Sequence, residues 1–213
     1  MSYVDAYDVQ LETHERVRVG GAHTVLLVEH DPVITVTRRA EGSGHVLADE
    51  AQLGTMGIEV QMTNRGGDVT YHGPGQLVVY PILRLSELRL NTGRYMDLLE
   101  QVIIDTVAAF GVKANRREKC TGVWVDVAGR PHKLAAMGVR VKRTVTLHGF
   151  AINVTTDMTH FETIVPCGLA ERGVTSLREL LGDETPSMQR VKDAVVAQLR
   201  GHVMSAQRNT IEC

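Results

Sequence analysis

Long apolar runs are missing from this chain of 213 residues. No stretch approaches the ~20 apolar side chains that a membrane-spanning helix needs, and no charged-then-apolar leader opens the sequence. A soluble, cytoplasmic protein is expected. Aromatic residues are scarce, at 4%, and they are not interleaved with basic side chains in the pattern that stacks single-stranded bases. Lys and Arg (23) nearly balance Asp and Glu (25), so bulk charge gives no reason to expect nucleic acid or a membrane as partner. Small basic clusters do occur, at Arg38-Arg39, Arg116-Arg117-Lys119 and Arg140-Lys142-Arg143; they suit a small acidic partner if they share a face, and solvated surface otherwise. The three cysteines, Cys120, Cys167 and Cys213, are an odd number without CxxC spacing, which supports neither a disulfide framework nor a zinc knuckle.

What the chain does have is glycine concentrated in one place. The run Arg65-Gly66-Gly67-Asp68-Val69-Thr70-Tyr71-His72-Gly73-Pro74-Gly75-Gln76 holds four glycines among polar side chains, directly ahead of the apolar segment Leu77 to Leu83. Lacking a Cβ, glycine lets a ligand come close to the main chain. A plain turn has no need of Arg65, Tyr71, His72 and Gln76 at its rim. The run therefore reads as a ligand-handling loop anchored by a buried strand that ends near Pro81, with a tight hairpin as the alternative. Its glycine spacing fits neither GxxxxGK[ST] nor GxGxxG, so a nucleotide-phosphate loop is unsupported.

The remaining pattern mixes strands and helices without a regular βαβ rhythm. It predicts an α+β fold, a mixed and largely antiparallel sheet flanked by helices, in one domain over residues 1–206 with a loose tail over 207–213. Val4 to Val17 predicts a helix closed by Gly20-Gly21. Thr24 to Glu29 and Val33 to Thr37 are β-branched runs around His30-Asp31-Pro32 and predict neighbouring strands. A short helix over Ala48 to Gly54 and a strand over Ile58 to Thr63 lead into the glycine loop. Asn91 or Thr92 caps the clearest helix, in which Met96, Leu99, Val102, Ile103, Val107 and Phe110 recur at three- and four-residue steps until Gly111. Gly122 to Val127, Lys133 to Val141 and Val145 to Val154 predict a three-stranded meander. A short helix over Thr175 to Leu181 and a longer one capped by Ser187 complete the chain.

Two residues draw the chemistry. Cys167 lies in Ile164-Val165-Pro166-Cys167-Gly168-Leu169, where proline fixes φ on one side and glycine frees it on the other, a setting that would hold a thiol at a defined turn. A lone cysteine among apolar residues is more often inert packing. To act as a nucleophile it needs a neighbouring cation or base that favours the thiolate. His72 and His148 are of the right type. So is Lys133, which opens the apolar run Lys133 to Val139, where desolvation disfavours the ammonium and would let the amine take the thiol's proton or pair with the thiolate. A lysine that snorkels out at a strand end beside Pro131 is the alternative.

In this order and at these intervals, RGGDVTYHGPGQLVVYP from Arg65, GVWV from Gly122, HKLAAMGVRV from His132, HGFAINV from His148 and PCGL from Pro166 closely resemble the octanoyltransferases of lipoate biosynthesis, over about His30 to Leu181. The resemblance implies the α/β fold shared by lipoate and biotin protein ligases. It implies transfer of an octanoyl group from octanoyl-acyl carrier protein to a lysine of lipoyl domains in 2-oxoacid dehydrogenase and glycine cleavage proteins, without a cofactor or metal. It further implies a thioester acyl-enzyme on Cys167, with Lys133 lowering the thiol's pKa. Acyl-binding roles fall on Arg65, Gly66, Gly67, Asp68, Val69, Thr70, Tyr71 and His72, on Ala136, Met137 and Gly138, and on Gly149, Phe150 and Ala151. Two positions depart from the family pattern: Thr37 stands where glycine is common, and Cys120 is not a motif residue.

Other readings separate from this one by chemistry. An ATP-dependent lipoate or biotin ligase on the same scaffold activates its acid as an adenylate and has no use for a thiol at Cys167. A non-catalytic acyl- or lipoyl-domain-binding protein needs neither Lys133 nor Cys167, and a metal site built from His72, His132, His148 and Cys167 lacks ligand spacing. Thioester exchange is nearly isoenergetic and thioester-to-amide transfer is downhill, so the transferase needs no nucleotide. It does need donors aimed at the developing oxyanion, which main-chain N–H groups near Gly168 or in the glycine loop would supply.

Overall fold

The computed structural model describes residues 1–165 and 173–208. Ser2 accepts the Asp5 amide and starts α1 (Tyr3–Arg18), which carries Arg16 and Arg18 at its carbonyl end. After β1 (Thr24–Val28) and β2 (Val33–Thr37), a capping box between Asp49 and Gln52 starts α2 (Glu50–Thr55). β3 (Glu59–Thr63), β4 (Thr70–His72) and β5 (Gln76–Ile82) follow. Asn91, rather than Thr92, caps α3 (Thr92–Ala108), its side chain accepting the Arg94 amide at 2.8 Å. β6 (Asn115–Arg117), β7 (Cys120–Val127), β8 (Arg130–Lys142) and β9 (Val145–Asn153) lead to a 3-10 turn over Met158–Thr163. β10 (Gly173–Val174), α4 (Leu177–Leu181) and α5 (Met188–Arg208) end the described chain. α5 thus runs through positions 207 and 208, where a loose tail was expected, and residues 209–213 lie outside the described residues.

These strands make two sheets. In the larger one β1-β5-β9-β8-β7-β6 lie side by side, each antiparallel to its neighbour, and β10 joins β8 in parallel. The smaller is β3-β2-β4, with β2 parallel to β3 and antiparallel to β4. The architecture is the α+β, largely antiparallel one that the sequence predicts, including the β7-β8-β9 meander. The predicted neighbourhood of β1 and β2 is overturned. β1 is an edge strand of the larger sheet, Thr24 opposite Ile82, whereas β2 is buried throughout and sits at the centre of the smaller one, Ile34 opposite both Val60 and Tyr71. His30-Asp31-Pro32 is a crossing between sheets. Its ring is pinned there, His30 Nδ1 donating to the Met1 carbonyl at 3.2 Å and Nε2 accepting from the Tyr80 hydroxyl at 2.7 Å.

The period of two along each strand divides the larger sheet into faces. Leu77, Val79, Phe150 and Ile152 pack against Leu99 and Ile103 of α3 and Val191 and Val195 of α5. Val78, Tyr80, Leu147 and Ala151 face the other way, toward Ala6 and Val17 of α1. The smaller sheet has its own core of Ile34, Val36, Val69, Tyr71 and Phe161. Among the described residues no helix is long and apolar enough to cross a membrane.

Candidate active site

Gly138 on β8 and Gly149 on β9 stand opposite each other, and neither position has room for a Cβ. At Gly138 it would meet the Gly66 carbonyl oxygen at 2.5 Å; at Gly149 it would run into the Val79 carbonyl and lie 2.7 Å from Pro81 Cδ. The glycine loop can therefore lie flat on the sheet, with the Gly66 N–H donating to the Val139 carbonyl at 2.9 Å. The Arg65 guanidinium clamps that loop from within, donating to Gly66 O, Asp68 O and both oxygens of Thr35 at 2.9 to 3.1 Å. Its planar fork fits such a set of carbonyls where a lysine would not.

Between loop and sheet is a narrow cleft with a mostly apolar lining. Arg65, Gly67, Val69, Thr70 and His72 form one wall; Ala136, Met137, Gly138, Gly149, Phe150 and Ala151 form the other. Gly66 and Asp68 line an outer groove instead. Tyr71 stands apart from the other predicted acyl-binding residues. Between Thr70 and His72 on β4 it points to the opposite face, into the small core beside Phe161, and bonds His160 Nδ1 at 2.6 Å. The missing Cβ at Gly73 leaves room for its hydroxyl. Tyr3, Val78 and Tyr80 also line the cleft and were not foreseen. Val78 and Tyr80 were readable as one face of β5; no local pattern connects Tyr3 on α1 to this place.

Lys133 is held in the middle of the sheet, its main chain between Trp124 of β7 and Val174 of β10. At 6% exposure it does not snorkel to water. Its Nζ lies 4.8 Å from the centre of the Trp124 ring, a cation–π contact, and Trp124 Nε1 in turn donates to the Cys120 carbonyl at 3.0 Å. The side chain borders two spaces: the outer groove with Arg39, Lys119, Cys120 and Met137, and an inner pocket with Gln76, Asn153, Phe161 and Val174. The inner pocket shares Thr70 and Ala136 with the cleft. Lys133 thus stands between the outer groove and the inner pocket, one shared wall away from the cleft. The Val165 N–H donates to His45 O at 2.8 Å, and Gly173 stands opposite His132. Cys167 and Cys213 lie outside the described residues. Cys120 is half-buried on the groove's edge.

The two histidines weighed as activators are engaged elsewhere. Gln76 Nε2 donates to Tyr71 O and Asn153 Oδ1, so its Oε1 accepts from His72 Nδ1 at 2.6 Å. Asn64 Nδ2 donates to the Tyr7 hydroxyl, leaving Oδ1 to accept from His148 Nε2 at 2.9 Å. His148 has a left-handed φ of 58°, and its N–H donates to Gln10 Oε1 of α1 at 2.9 Å. Burial first, then nearby positive or titratable groups, lowers His72 and His148 to about 3. Bases that weak do not take a thiol's proton at neutral pH. Burial likewise lowers His30 to about 4. Among the described residues no three His, Cys, Asp or Glu side chains gather to hold a metal ion.

These neutral imidazoles make the fold acid-sensitive. Unfolded, each takes a proton near pH 6.5; folded, His30, His72 and His148 do so only near 4, 3 and 3. Below about pH 6.5 the unfolded chain binds more protons, so stability falls with pH and levels off only beneath the folded values. At about pH 5 the loss is roughly 2 kcal/mol per histidine. Urea titrations at about pH 7.5 and pH 5 should show this fall, and it should be smaller in His30→Gln. An equal fall in the variant would remove His30 from the account.

The family model described as the lipoyl protein ligase A/B catalytic domain matches residues 2–200. An octanoyltransferase of Chloroflexus aggregans is 43% identical over 202 residues, covering 93% of this chain and 89% of that protein. One from Myxococcus xanthus is 47% identical over 173 residues, 80% of this chain, and the match spans only 48% of that longer protein. Among solved structures, a bi-partite lipoate protein ligase from Thermoplasma acidophilum, described with its E2 lipoyl domain, superposes with a TM-score of 0.65 at 13% identity, over 96% of this chain and 88% of that one. That last likeness is one of fold alone. With the family match spanning nearly the whole sequence and relatives this similar, the chain belongs to the lipoyl protein ligase A/B catalytic-domain family, among its octanoyltransferases.

Proposed function

We propose that this protein takes an octanoyl group from octanoyl-acyl carrier protein, holds it as a thioester on Cys167, and delivers it to a lysine of lipoyl domains such as those of 2-oxoacid dehydrogenase and glycine cleavage proteins. The observation that carries this reading is the position of Lys133. A buried side chain borders the outer groove and the inner pocket, and the inner pocket shares Thr70 and Ala136 with the cleft; it lies next to β10, which begins six residues after Cys167.

In the first half-reaction the Cys167 proton passes to the Lys133 amine. The thiolate attacks the donor thioester carbonyl, a new S–C bond forms, and the carrier's S–C bond breaks as its thiolate takes the proton from Lys133. In the second, the neutral amine of the acceptor lysine attacks. An N–C bond forms, the Cys167 S–C bond breaks, and the proton shed by the amine returns through Lys133 to the departing thiolate. The octanoyl tail occupies the cleft between Val69, Val78, Ala136 and Ala151, and its burial fixes the carbonyl at the Lys133 end.

Intact mass after incubation with octanoyl-acyl carrier protein, without ATP, tests this reading. A single octanoyl adduct on the peptide containing Cys167, discharged by a lipoyl domain, is expected. An adduct on Cys120, or a requirement for ATP with free octanoate as the preferred donor, would overturn it.

A further inference from the structure

At one end the cleft is lined by a side chain that also borders a second cavity. Tyr3, in the first turn of α1, lines the cleft with Tyr80 and His148 and also lines a second cavity on the outer side, with Tyr7, Arg38, Met62, Thr63 and Asn64. The ring is 6% exposed. It is braced from three directions: its hydroxyl bonds Thr63 Oγ1 at 2.6 Å, and its ring lies 5.5 Å from His30 and 6.5 Å from Tyr7, parallel to the latter within 1°. A side chain so restrained does not swing aside for a longer ligand. Lys133 lies away from this end, toward Thr70 and Ala136, so a tail whose carbonyl is at Lys133 points at Tyr3.

We infer that Tyr3 sets the upper limit of acyl-chain length, acting as a partition between the cleft and the outer cavity. This rests on the acyl-transfer reading above. A methyl terminus that stops at the ring stays buried, whereas a longer chain must fold back or displace α1. Without the ring the two spaces join, and further methylenes emerge onto Met62, which is 52% exposed and offers an apolar surface outside the wall.

Transfer from octanoyl-, decanoyl- and dodecanoyl-acyl carrier protein to a lipoyl domain reads this directly as ratios of kcat/KM. Tyr3→Leu and Tyr3→Ala should raise the dodecanoyl-to-octanoyl ratio by roughly tenfold or more, the gain expected when a few methylenes regain apolar contact. Tyr3→Phe, which keeps the ring and loses only the bond to Thr63, should keep the wild-type ratio. Adding Met62→Asp to Tyr3→Leu should take back much of the gain, an effect that general loosening of α1 would not produce. Tyr3→Leu carries the test if Tyr3→Ala does not fold. An unchanged ratio in Tyr3→Leu, with octanoyl transfer intact in the wild type, overturns the partition and leaves the transfer reading standing. Absence of octanoyl transfer in the wild type overturns both.

Discussion

Lys133→Met is expected to lower octanoyl transfer by roughly 10²–10⁴-fold, the usual worth of a positioned proton-transfer group, while the protein stays folded. Methionine matches the apolar stem of this buried side chain, so the change removes the amine, with its contact to the Trp124 ring, and keeps the stem. Burying an amine costs solvation free energy; thermal stability of the variant is therefore expected to hold or rise as activity falls, the opposition typical of a functional group. Lys133→Arg should not rescue transfer, since the guanidinium neither gives up its proton nor fits the same space. Cys167→Ser should leave no acyl adduct, and alkylation of Cys167 in Lys133→Met should move to higher pH. Peptide mapping is needed for the alkylation, because Cys120 lies on the groove that Lys133 borders. An alkylation profile unmoved by Lys133→Met would show that the thiolate owes nothing to this lysine.

Legibility in the sequence followed how local the determining physics is. α3 was readable to within one residue of its cap because Asn91-Thr92, the three- and four-residue apolar steps and the closing Gly111 are all local signals. The β7-β8-β9 meander was readable because its turns are short and its strands long. The His30-Asp31-Pro32 crossing was not, because a short turn between two β-branched runs looks alike whether the strands pair or part; here the full burial of β2 sends it into a separate sheet. β4 is three residues inside the glycine loop, too short for alternation to register, so a family segment carried over whole includes Tyr71 with neighbours that face the other way. Family motifs marked the cleft's two main walls, but Tyr3 reaches it only because α1 packs across β5 and β9. The His30, His72 and His148 cluster is likewise tertiary: rings distant in sequence lie within 5.7 to 6.4 Å of each other or of Tyr80 between them.

Of the facing pair of glycines in the cleft, Gly149→Ala should unfold the protein far more readily than Gly138→Ala. Neither glycine has a left-handed φ, so the difference is one of space and of what can give way. A Cβ at Gly149 meets the Val79 carbonyl and Pro81 Cδ, both in β5, an interior strand of the larger sheet packed by α3 and α5 on one face and α1 on the other. Nothing there can retreat without parting β5 from β9, and a loss of about 3 kcal/mol or more is expected. In a protein of this size that lowers Tm by roughly 6–12 °C. A Cβ at Gly138 meets the Gly66 carbonyl at 2.5 Å and Arg65 Cδ at 3.1 Å, part of a loop exposed at Gly66 and Gly67. That loop can lift, so stability should change little; lifting it breaks the Gly66 to Val139 hydrogen bond and moves the Arg65 wall of the cleft. The cost then appears as weaker octanoyl-donor binding, a rise in KM of about tenfold for the 1–2 kcal/mol of misplaced contact. Thermal melts and donor kinetics on the two variants separate the cases. Similar melting losses for both would mean that the loop is as fixed as the sheet beneath it, and that the cleft has no movable wall.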